Sequence, residues 1–190
     1  MDVAAVVGLG NPGAQYERSR HNVGFMVVDA LVYRWRCGPL ERRSYGWVGQ
    51  RTRPRPLWLM KPCTYMNLSG TAVAALCRDA GLRSQQVLVV VDDVDLPLGQ
   101  LRLRRRGGAG THNGLRSVVE AVGESFPRLR LGVRGATPWE DLAEYVLAPF
   151  APEEEVAVRE MIERAVACVE EAIFSSFDQA ANRFNVRTSA

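Results

Sequence analysis

The sequence predicts an α/β fold, with a single domain in which a mixed, mostly parallel β-sheet is sandwiched by helices. Strand-like and helix-like segments alternate along most of the 190 residues, and this alternation is typical of such folds. The apolar run at residues 87–91 has polar neighbours at both ends, which is typical of a strand that helices cover on both faces. Repeats, low-complexity stretches and linkers are absent from the sequence. We therefore expect residues 1–190 to form one domain, a size that can bury a substantial core.

The first half of the chain is expected to form a strand, a helix, two strands and a second helix. The first strand runs into a glycine-rich turn at residues 8–13, and apolar residues at helical spacing follow the turn. Two strands separated by a proline–arginine turn come next, and Gly81 is a typical residue to end the helix after them. We expect these five elements at residues 2–7, 22–35, 45–52, 56–60 and 67–80.

The second half of the chain is expected to add three strands and two helices. Leu101 and Leu103 alternate with arginines, so the strand that holds them should bury only one face. Pro152 and the three glutamates after it are typical of a helix N-terminus, where amide groups lack partners and the helix dipole favours negative charge. The expected elements are strands at residues 87–91, 100–104 and 129–133 and helices at residues 113–122 and 152–174.

The composition is that of a soluble globular protein. Hydrophobic residues make up 47% and charged residues 24% of the chain. The apolar runs are too short to cross a bilayer, and the chain starts almost directly with a strand, so we expect neither a membrane span nor a signal peptide. Four scattered cysteines have no zinc-like spacing to a histidine. We expect them to be small buried residues in a reduced, cytoplasmic protein.

Positive charge is concentrated in the first 150 residues, which carry 20 basic and 13 acidic side chains, whereas residues 151–174 carry seven glutamates and two arginines. Arg102, Arg104, Arg105 and Arg106 lead directly into a glycine-rich loop at a predicted helix start. Arginine side chains beside free backbone amides suit the binding of phosphate. The alternative interpretation is an edge strand whose charges only protect it from pairing with other chains.

Two histidines, His21 and His112, are the candidates for a proton carrier near neutral pH. His21 lies eight residues after the glycine-rich turn, and His112 follows the glycine loop at residues 107–111. Another predicted strand runs into an acidic segment that begins at Asp92, and functional groups in open α/β sheets gather beyond the carboxyl ends of strands. A carboxylate placed there could meet an imidazole from the first loop. Taken alone, His21 would fit a hydrogen-bonded core residue, and the acids would fit a hydrated turn.

The glycines at residues 8–13 match the spacing of a dinucleotide-binding fingerprint, but their surroundings do not. The fingerprint requires a helix that opens at the third glycine and an acidic residue at the end of a second strand. Here Asn11, Pro12 and Gly13 form a turn sequence. The acid at the required distance, Asp29, falls inside the predicted helix. Nucleotide binding is therefore the weaker alternative.

Six segments stand in order along the chain: GLGNPG…Y…RHNVG at residues 8–24, TYMNLSG at 64–70, DDVDLPLG at 92–99, GGAGTHNG at 107–114, RLRLGV at 128–133 and ANRFN at 181–185. Together they closely resemble bacterial-type peptidyl-tRNA hydrolases over essentially the whole chain. Val91, where many members have histidine, and Thr111, where glycine is common, depart from the usual pattern. The resemblance implies a monomeric α/β enzyme without metal or cofactor. The implied reaction is cleavage of the ester between a peptide, or an N-blocked amino acid, and the tRNA 3′ end, which recycles tRNA dropped by stalled ribosomes.

The resemblance also implies roles for individual residues. His21 matches the catalytic base of the family, and Asp92 matches the carboxylate that holds the base. Asn11 matches a residue that helps to distinguish blocked from free aminoacyl-tRNA. Arg104 and Arg130 match basic residues that hold the 5′-phosphate of the tRNA. The complete set of implied substrate-binding residues is Tyr16, Tyr65, Met66, Asn67, Asn113, Arg104 and Arg130.

These residue types suit the hydrolysis of an ester that has a ribose oxygen as its leaving group. An imidazole can take a proton from water while a carboxylate fixes its tautomer. Asparagine amides can donate hydrogen bonds to the developing oxyanion, although the sequence leaves open which asparagine does so. A G-x-S-x-G turn is absent from the sequence, which argues against an acyl-enzyme on a hydrolase-type serine. The remaining alternative is a noncatalytic RNA-binding relative, and the presence of His21, Asp92 and Asn11 argues against it.

Overall fold

Seven strands form one sheet in the computed structural model, which describes residues 2–186. The strands are β1 (Ala5–Gly8), β2 (Glu41–Arg43), β3 (Gly46–Arg51), β4 (Leu57–Pro62), β5 (Val87–Pro97), β6 (Leu101–Arg104) and β7 (Arg128–Arg134). Their order across the sheet is β2-β3-β4-β1-β5-β7-β6. The four middle strands are parallel to one another, and the strands at both edges are joined by antiparallel pairings. The predicted mixed, mostly parallel sheet is confirmed.

Helices cover both faces of this sheet. One apolar core lies between the sheet and α1, α5 and α6, where α1 is Val23–Trp35, α5 is Glu155–Phe174 and α6 is Phe177–Phe184. A second core lies between the opposite face and α2 and α3, where α2 is Ser69–Ala80 and α3 is Asn113–Val122. The short helix α4 (Leu142–Leu147) lies outside both cores. Residues 87–91 alternate between the two cores and are fully buried, as their continuous apolar pattern predicts.

Strand β5 is longer than the sequence predicts, and this difference affects the site. The sequence predicts a strand at residues 87–91 that ends at the acidic segment, but the strand continues to Pro97. Asp92 and Asp93 pair with Leu131 and Gly132 of β7, and the register shifts only after Asp93. Asp92 is therefore held inside a strand of the sheet.

Three short strands and helices, β2, α4 and α6, are not predicted from the sequence. Both helices have a side-chain cap that the sequence shows: Asp141 accepts a hydrogen bond from the backbone N–H of Glu144, and Ser176 accepts one from Gln179. A polar residue followed at the third position by Glu or Gln is an N-terminal helix signature. The helices have only six and eight residues, so their apolar periodicity is too short to reveal them.

The four cysteines are free, but only one of them is buried as expected. Burial raises the pKa of the Cys168 thiol to about 12. Cys37, Cys63 and Cys77 are half-buried, so the expectation of four buried cysteines is wrong for these three. Across residues 2–186, no helix combines the length and the apolar character that spanning a membrane requires.

Candidate active site

A pocket of about 460 Å³ lies beside the ends of β1 and β5. These strands are neighbours in the sheet, and the chain leaves β1 toward β4 but leaves β5 toward β7. This reversal of direction creates a crevice at which α/β proteins commonly bind ligands. The predicted site residues that line the pocket are Asn11, His21, Tyr65, Met66, Asn67, Asp92, Asn113 and Arg130. Two others lie outside its lining: Tyr16, on the 3-10 turn Ala14–Tyr16, and Arg104, exposed on β6.

The turn that carries His21 is positioned by direct contact between backbones. His21 is the middle residue of a 3-10 turn, Arg20–Asn22, immediately before α1. Gly24, in the first turn of α1, packs so closely that a Cβ there would lie 2.5 Å from the carbonyl oxygen of Val90 and 2.6 Å from that of Leu9. The start of α1 therefore lies directly against the chain at the end of β1 and against β5. This packing places His21 beside the strand that carries Asp92.

His21 and Asp92 form the predicted pair. Nδ1 of His21 lies 2.7 Å from Oδ2 of Asp92, whose side chain is 2% exposed. Burial alone would raise the pKa of the Asp92 carboxyl, but the His112 and His21 imidazoles and their hydrogen bonds hold that pKa well below its usual range. Because the ionised carboxylate can only accept hydrogen bonds, Nδ1–H of His21 must be the donor. The lone pair of neutral His21 is therefore on Nε2.

Asn11 is held by hydrogen bonds that leave its amide N–H groups available to a ligand. Its backbone N–H donates to Oδ1 of Asn22, and Nδ2 of Asn22 donates back to the Asn11 carbonyl, both at 2.9 Å. Its side-chain Oδ1 accepts from the backbone N–H of Met66 at 2.7 Å. The Nδ2 group is thus the donor that Asn11 can offer to a molecule in the pocket.

His112 contacts the same carboxylate as His21, and this contact is not predicted from the sequence. Its Nε2 lies 2.7 Å from Oδ1 of Asp92, and the two imidazole ring centroids are 5.0 Å apart. His112 is also the N-cap of α3, where its Nδ1 accepts from the backbone N–H of Leu115 at 3.1 Å. The contact depends on the path of the glycine loop, in which Gly107 and Gly110 adopt positive φ angles of 153° and 58°.

These three side chains have the composition of a metal site, but their hydrogen bonds fit metal binding poorly. His21, Asp92 and His112 could each offer one ligand atom. A metal on Nε2 of His112 would require the imidazole proton on Nδ1, where it would face the N–H of Leu115 that caps α3. The expectation of an enzyme without metal or cofactor therefore stays in place as a prediction.

Helix α4 provides an apolar wall of the pocket that is not predicted from the sequence, because α4 itself is not predicted. The neighbouring segment is tied to the His21 turn by Arg20, which is 8% exposed. The Arg20 guanidinium lies over the ring of Tyr145 and donates to the carbonyl of Pro149 at 3.0 Å and to Glu154 at 3.1 Å. The residues of α4 that line the pocket are Leu142, Ala143, Val146 and Leu147.

Four arginines share the face of β6 and β7 that lies opposite the acidic helix α5. Arg102 is paired with Arg130 and Arg104 with Arg128, while the leucines between them face the core that contains α5. Arg104 is exposed. Arg130 lines the pocket, donates to the Gly108 carbonyl at 3.0 Å and lies 3.6 Å from Asp93. The predicted phosphate-binding arginines are thus on one face but differ in their local partners.

Arg128 is buried and holds the glycine loop, a role that is not predicted from the sequence. It is 1% exposed and donates to the carbonyls of Phe126, Gly108 and Glu124. Burial, together with the nearby Arg130, lowers the pKa of Arg128 to about 10, so its guanidinium is still charged at neutral pH.

We expect Arg128→Lys to lower the free energy of unfolding by about 2 kcal/mol or more, because one ammonium cannot satisfy three buried carbonyls. Urea unfolding followed by circular dichroism measures this change. Arg105→Lys is the control: Arg105 is exposed and pairs with Asp178, so the loss there should stay within about 0.5 kcal/mol. Equal losses in the two variants would contradict the loop-holding role.

The nucleotide-binding alternative does not fit the structure. The third glycine of the fingerprint, Gly13, precedes a 3-10 turn instead of an α-helix. Asp29 lies within α1 and forms a 2.7 Å ion pair with Lys61. The acidic residue that would bind a ribose is therefore not at the end of a strand.

Known proteins of one enzyme family are similar to this chain in sequence and in structure. Residues 5–190 match the family model described as Peptidyl-tRNA hydrolase. A peptidyl-tRNA hydrolase from Aquifex aeolicus is 47% identical over 175 residues, which cover 91% of each chain. One from a Synechococcus species is 49% identical over 188 residues, which cover 95% of this chain and 81% of the relative. The crystal structure of peptidyl-tRNA hydrolase from Acinetobacter baumannii matches with a TM-score of 0.91 at 31% identity, covering 99% of this chain and 97% of that one.

The fold and these similarities define the protein as an enzyme of the hydrolase class. The chain belongs to the peptidyl-tRNA hydrolase family.

Proposed function

We propose that this enzyme hydrolyses the ester between a peptide, or an N-blocked amino acid, and the tRNA 3′ end, and so releases tRNA for reuse in translation. Membership of the family supports the release of tRNA from peptidyl-tRNA. The observation that carries the mechanism is the 2.7 Å contact between His21 and buried Asp92 at the pocket. We further propose that residues 1–190 act as one domain, as a cytoplasmic monomer that recovers tRNA from stalled ribosomes.

In the proposed mechanism, His21 activates water through Nε2. Nε2 takes a proton from the water as its oxygen attacks the ester carbonyl carbon. Asp92 keeps Nδ1 protonated and stabilises the imidazolium that forms. The bond from the carbonyl carbon to the ribose oxygen then breaks, and the imidazolium returns the proton to that oxygen. The products are a carboxylic acid on the peptide, which ionises by releasing its proton to solvent, and a free hydroxyl on the tRNA, and no covalent enzyme intermediate is required.

The asparagines at the pocket supply neutral donors for the substrate. The Nδ2 group of Asn11 is oriented by the Met66 backbone, so it can recognise a substrate carbonyl without exchanging protons. Asn67 and Asn113 line the same pocket and can donate to the oxyanion, while Tyr65 and Met66 offer contact area to the acyl group. Tyr16 and Arg104 lie outside the pocket lining, so we propose that they contact more distant parts of the substrate.

We propose that the arginine face of β6 and β7 binds the tRNA backbone, with Arg104 and Arg130 contacting the 5′-phosphate. The geometry supports this because Arg130 also lines the pocket, so one continuous surface can contact phosphate and ester. Helix α5, which carries five glutamates and two arginines, packs on the opposite face of the sheet and keeps its negative charge away from this surface.

Removing one phosphate-contacting arginine should weaken binding to all tRNA sequences alike. It should also reduce the slope of the logarithm of the binding constant against the logarithm of the salt concentration by about one unit. KM should rise more than kcat falls, because phosphate contacts far from the ester stabilise ground and transition states alike. Titrations of Arg104→Ala and Arg130→Ala with tRNA at several salt concentrations, together with steady-state kinetics, measure both effects.

Arg159→Ala is the matched control, because Arg159 is exposed on α5 on the other face of the sheet. Small blocked aminoacyl esters that lack the tRNA body should be hydrolysed almost equally by Arg104→Ala and Arg159→Ala, because both arginines lie outside the lining of the pocket. If Arg104→Ala and Arg130→Ala each leave the salt dependence unchanged, the arginines only protect the edge of the sheet, and tRNA binds elsewhere.

Hydrolysis of diacetyl-lysyl-tRNA by purified, EDTA-treated protein is the experiment that tests the function as a whole. We expect the EDTA-treated protein to release free tRNA, and we expect added divalent metal to leave the rate of release unchanged. Activity that appears only after metal is added would reject the metal-free mechanism. Binding of tRNA without any hydrolysis would support a noncatalytic RNA-binding protein instead.

A further inference from the structure

We propose that His112 is a positioning residue: a neutral imidazole that fixes Asp92 in place and moderates the basicity of His21. The inference rests on the proposed role of His21 as the base. His112 is the second imidazole on the one carboxylate, and the mechanism proposed above gives it no task.

The helix cap fixes the tautomer of His112. The backbone N–H of Leu115 can only donate, so Nδ1 of His112 must present a lone pair to it. A neutral imidazole carries one ring proton, and that proton is therefore on Nε2, which faces Oδ1 of Asp92 at 2.7 Å. Protonation of Nδ1 would break the cap and place a positive charge at the positive end of the α3 dipole. Both arguments favour the neutral form with the proton on Nε2.

The two imidazoles divide the carboxylate of Asp92 between them. Oδ1 accepts from His112 and Oδ2 accepts from His21, each at 2.7 Å. Because Asp92 is almost fully buried, loss of the His112 donor would leave Oδ1 without its partner and free the carboxylate to rotate about its χ2 bond. His112 thus holds Oδ2 in the orientation that His21 requires.

The same hydrogen bond should weaken the effect of Asp92 on its other partner. The hydrogen bond from Nε2–H of His112 stabilises the negative charge of the Asp92 carboxylate. The carboxylate therefore stabilises an imidazolium on His21 less strongly. Removing only that donor should therefore make His21 more basic and move the acidic limb of the kcat/KM profile to higher pH. The other ionisable groups that line the pocket are Tyr65, Asp93, Asp95 and Arg130, and they are the same in every variant compared below.

Two substitutions separate the two hydrogen bonds of His112. In His112→Asn, the amide oxygen can take the place of Nδ1 and cap α3, but the side chain is too short to donate to Asp92. In His112→Gln, the amide nitrogen can take the place of Nε2 and donate to Asp92, whereas the cap is lost. The first variant tests the link to the carboxylate, and the second tests the link to the helix.

We expect His112→Asn to keep the Tm of the parent protein, lose about tenfold in kcat, and shift the acidic limb of kcat/KM upward by about half a pH unit or more. His112→Gln should lower Tm but keep the acidic limb at the parent position. An unshifted limb in His112→Asn with a raised KM would make His112 a substrate contact. An equal shift in both variants would show that loop structure, and not the hydrogen bond, is responsible.

The tautomer of His112 can also be determined by NMR spectroscopy, without an activity assay. The chain has only two histidines, so the imidazole ¹⁵N spectrum contains two ring systems, and His21→Ala leaves one for identification. At about pH 7 we expect the His112 ring to carry its proton on Nε2 and none on Nδ1. A proton on Nδ1 at that pH would overturn the inference. Retained activity in His21→Ala would instead reject the proposed role of His21 as the base, so the two failures are distinguishable.

Discussion

Replacing His21 with alanine is expected to lower kcat by about 10²–10⁴, the usual contribution of a positioned general base. The fold should change little, because His21 lies at the pocket on a turn that is held by the backbone contacts of Gly24. Single-turnover hydrolysis of diacetyl-lysyl-tRNA measures the loss, and circular dichroism measures the fold.

His112→Ala is the matched comparison for His21→Ala. Both nitrogens of His112 are occupied, one by Leu115 and one by Asp92, so His112 has no free lone pair with which to activate water. We expect its replacement to cost less than that of His21. An inactive His112→Ala together with a nearly normal His21→Ala would reverse the assignment of the base.

Asp92→Asn should lower kcat by about 10³–10⁴, because the amide cannot accept from two imidazole N–H groups. It offers one acceptor oxygen and one donor nitrogen to His21 and His112. The cap on α3 locks His112 as a donor, so the amide oxygen must face His112. The amide nitrogen then faces His21, which must move its proton to Nε2 and lose the lone pair that the reaction uses.

The residual activity of Asp92→Asn should also depend differently on pH. A neighbouring carboxylate stabilises imidazolium, so its loss should move the acidic limb of the rate profile to lower pH. This direction is opposite to the one expected for His112→Asn, which leaves the charge of Asp92 in place. The full pH–rate profile of each variant measures the shift. An unchanged profile in Asp92→Asn would mean that Asp92 and His21 do not act as a pair.

The middle of the sheet was predictable from sequence because burial on both faces requires an uninterrupted apolar strand, as residues 87–91 show. Helix α3 was also predicted with its observed bounds, since the loop before it and Gly123 after it mark both ends. The extension of β5 was not predictable in the same way. Aspartate favours turns and is depleted in strands, and here the pairing with β7 overrides that local preference.

Some contacts of the candidate site could be predicted from the sequence, and others could not. Asn11 is expected near His21 because both lie on the short connection after the first strand, and Asp92 because functional groups gather beyond the carboxyl ends of strands. The contact between Asp92 and His112 depends on backbone angles in the glycine loop, which the sequence permits but does not specify. The same holds for Arg130, whose bonds to Gly108 and Asp93 arise from the folded position of that loop.

The glycine contact between α1 and β5 has a consequence for how the enzyme tolerates change over evolutionary time. Gly24 meets the carbonyls of Leu9 and Val90 with no side chain between them, so the spacing there is set by atoms that every residue possesses. Substitutions that alter the volume of core side chains do not enter this contact. We therefore expect the separation of base and acid to be preserved while the surrounding core drifts, with Gly24 as the position where drift is least permitted.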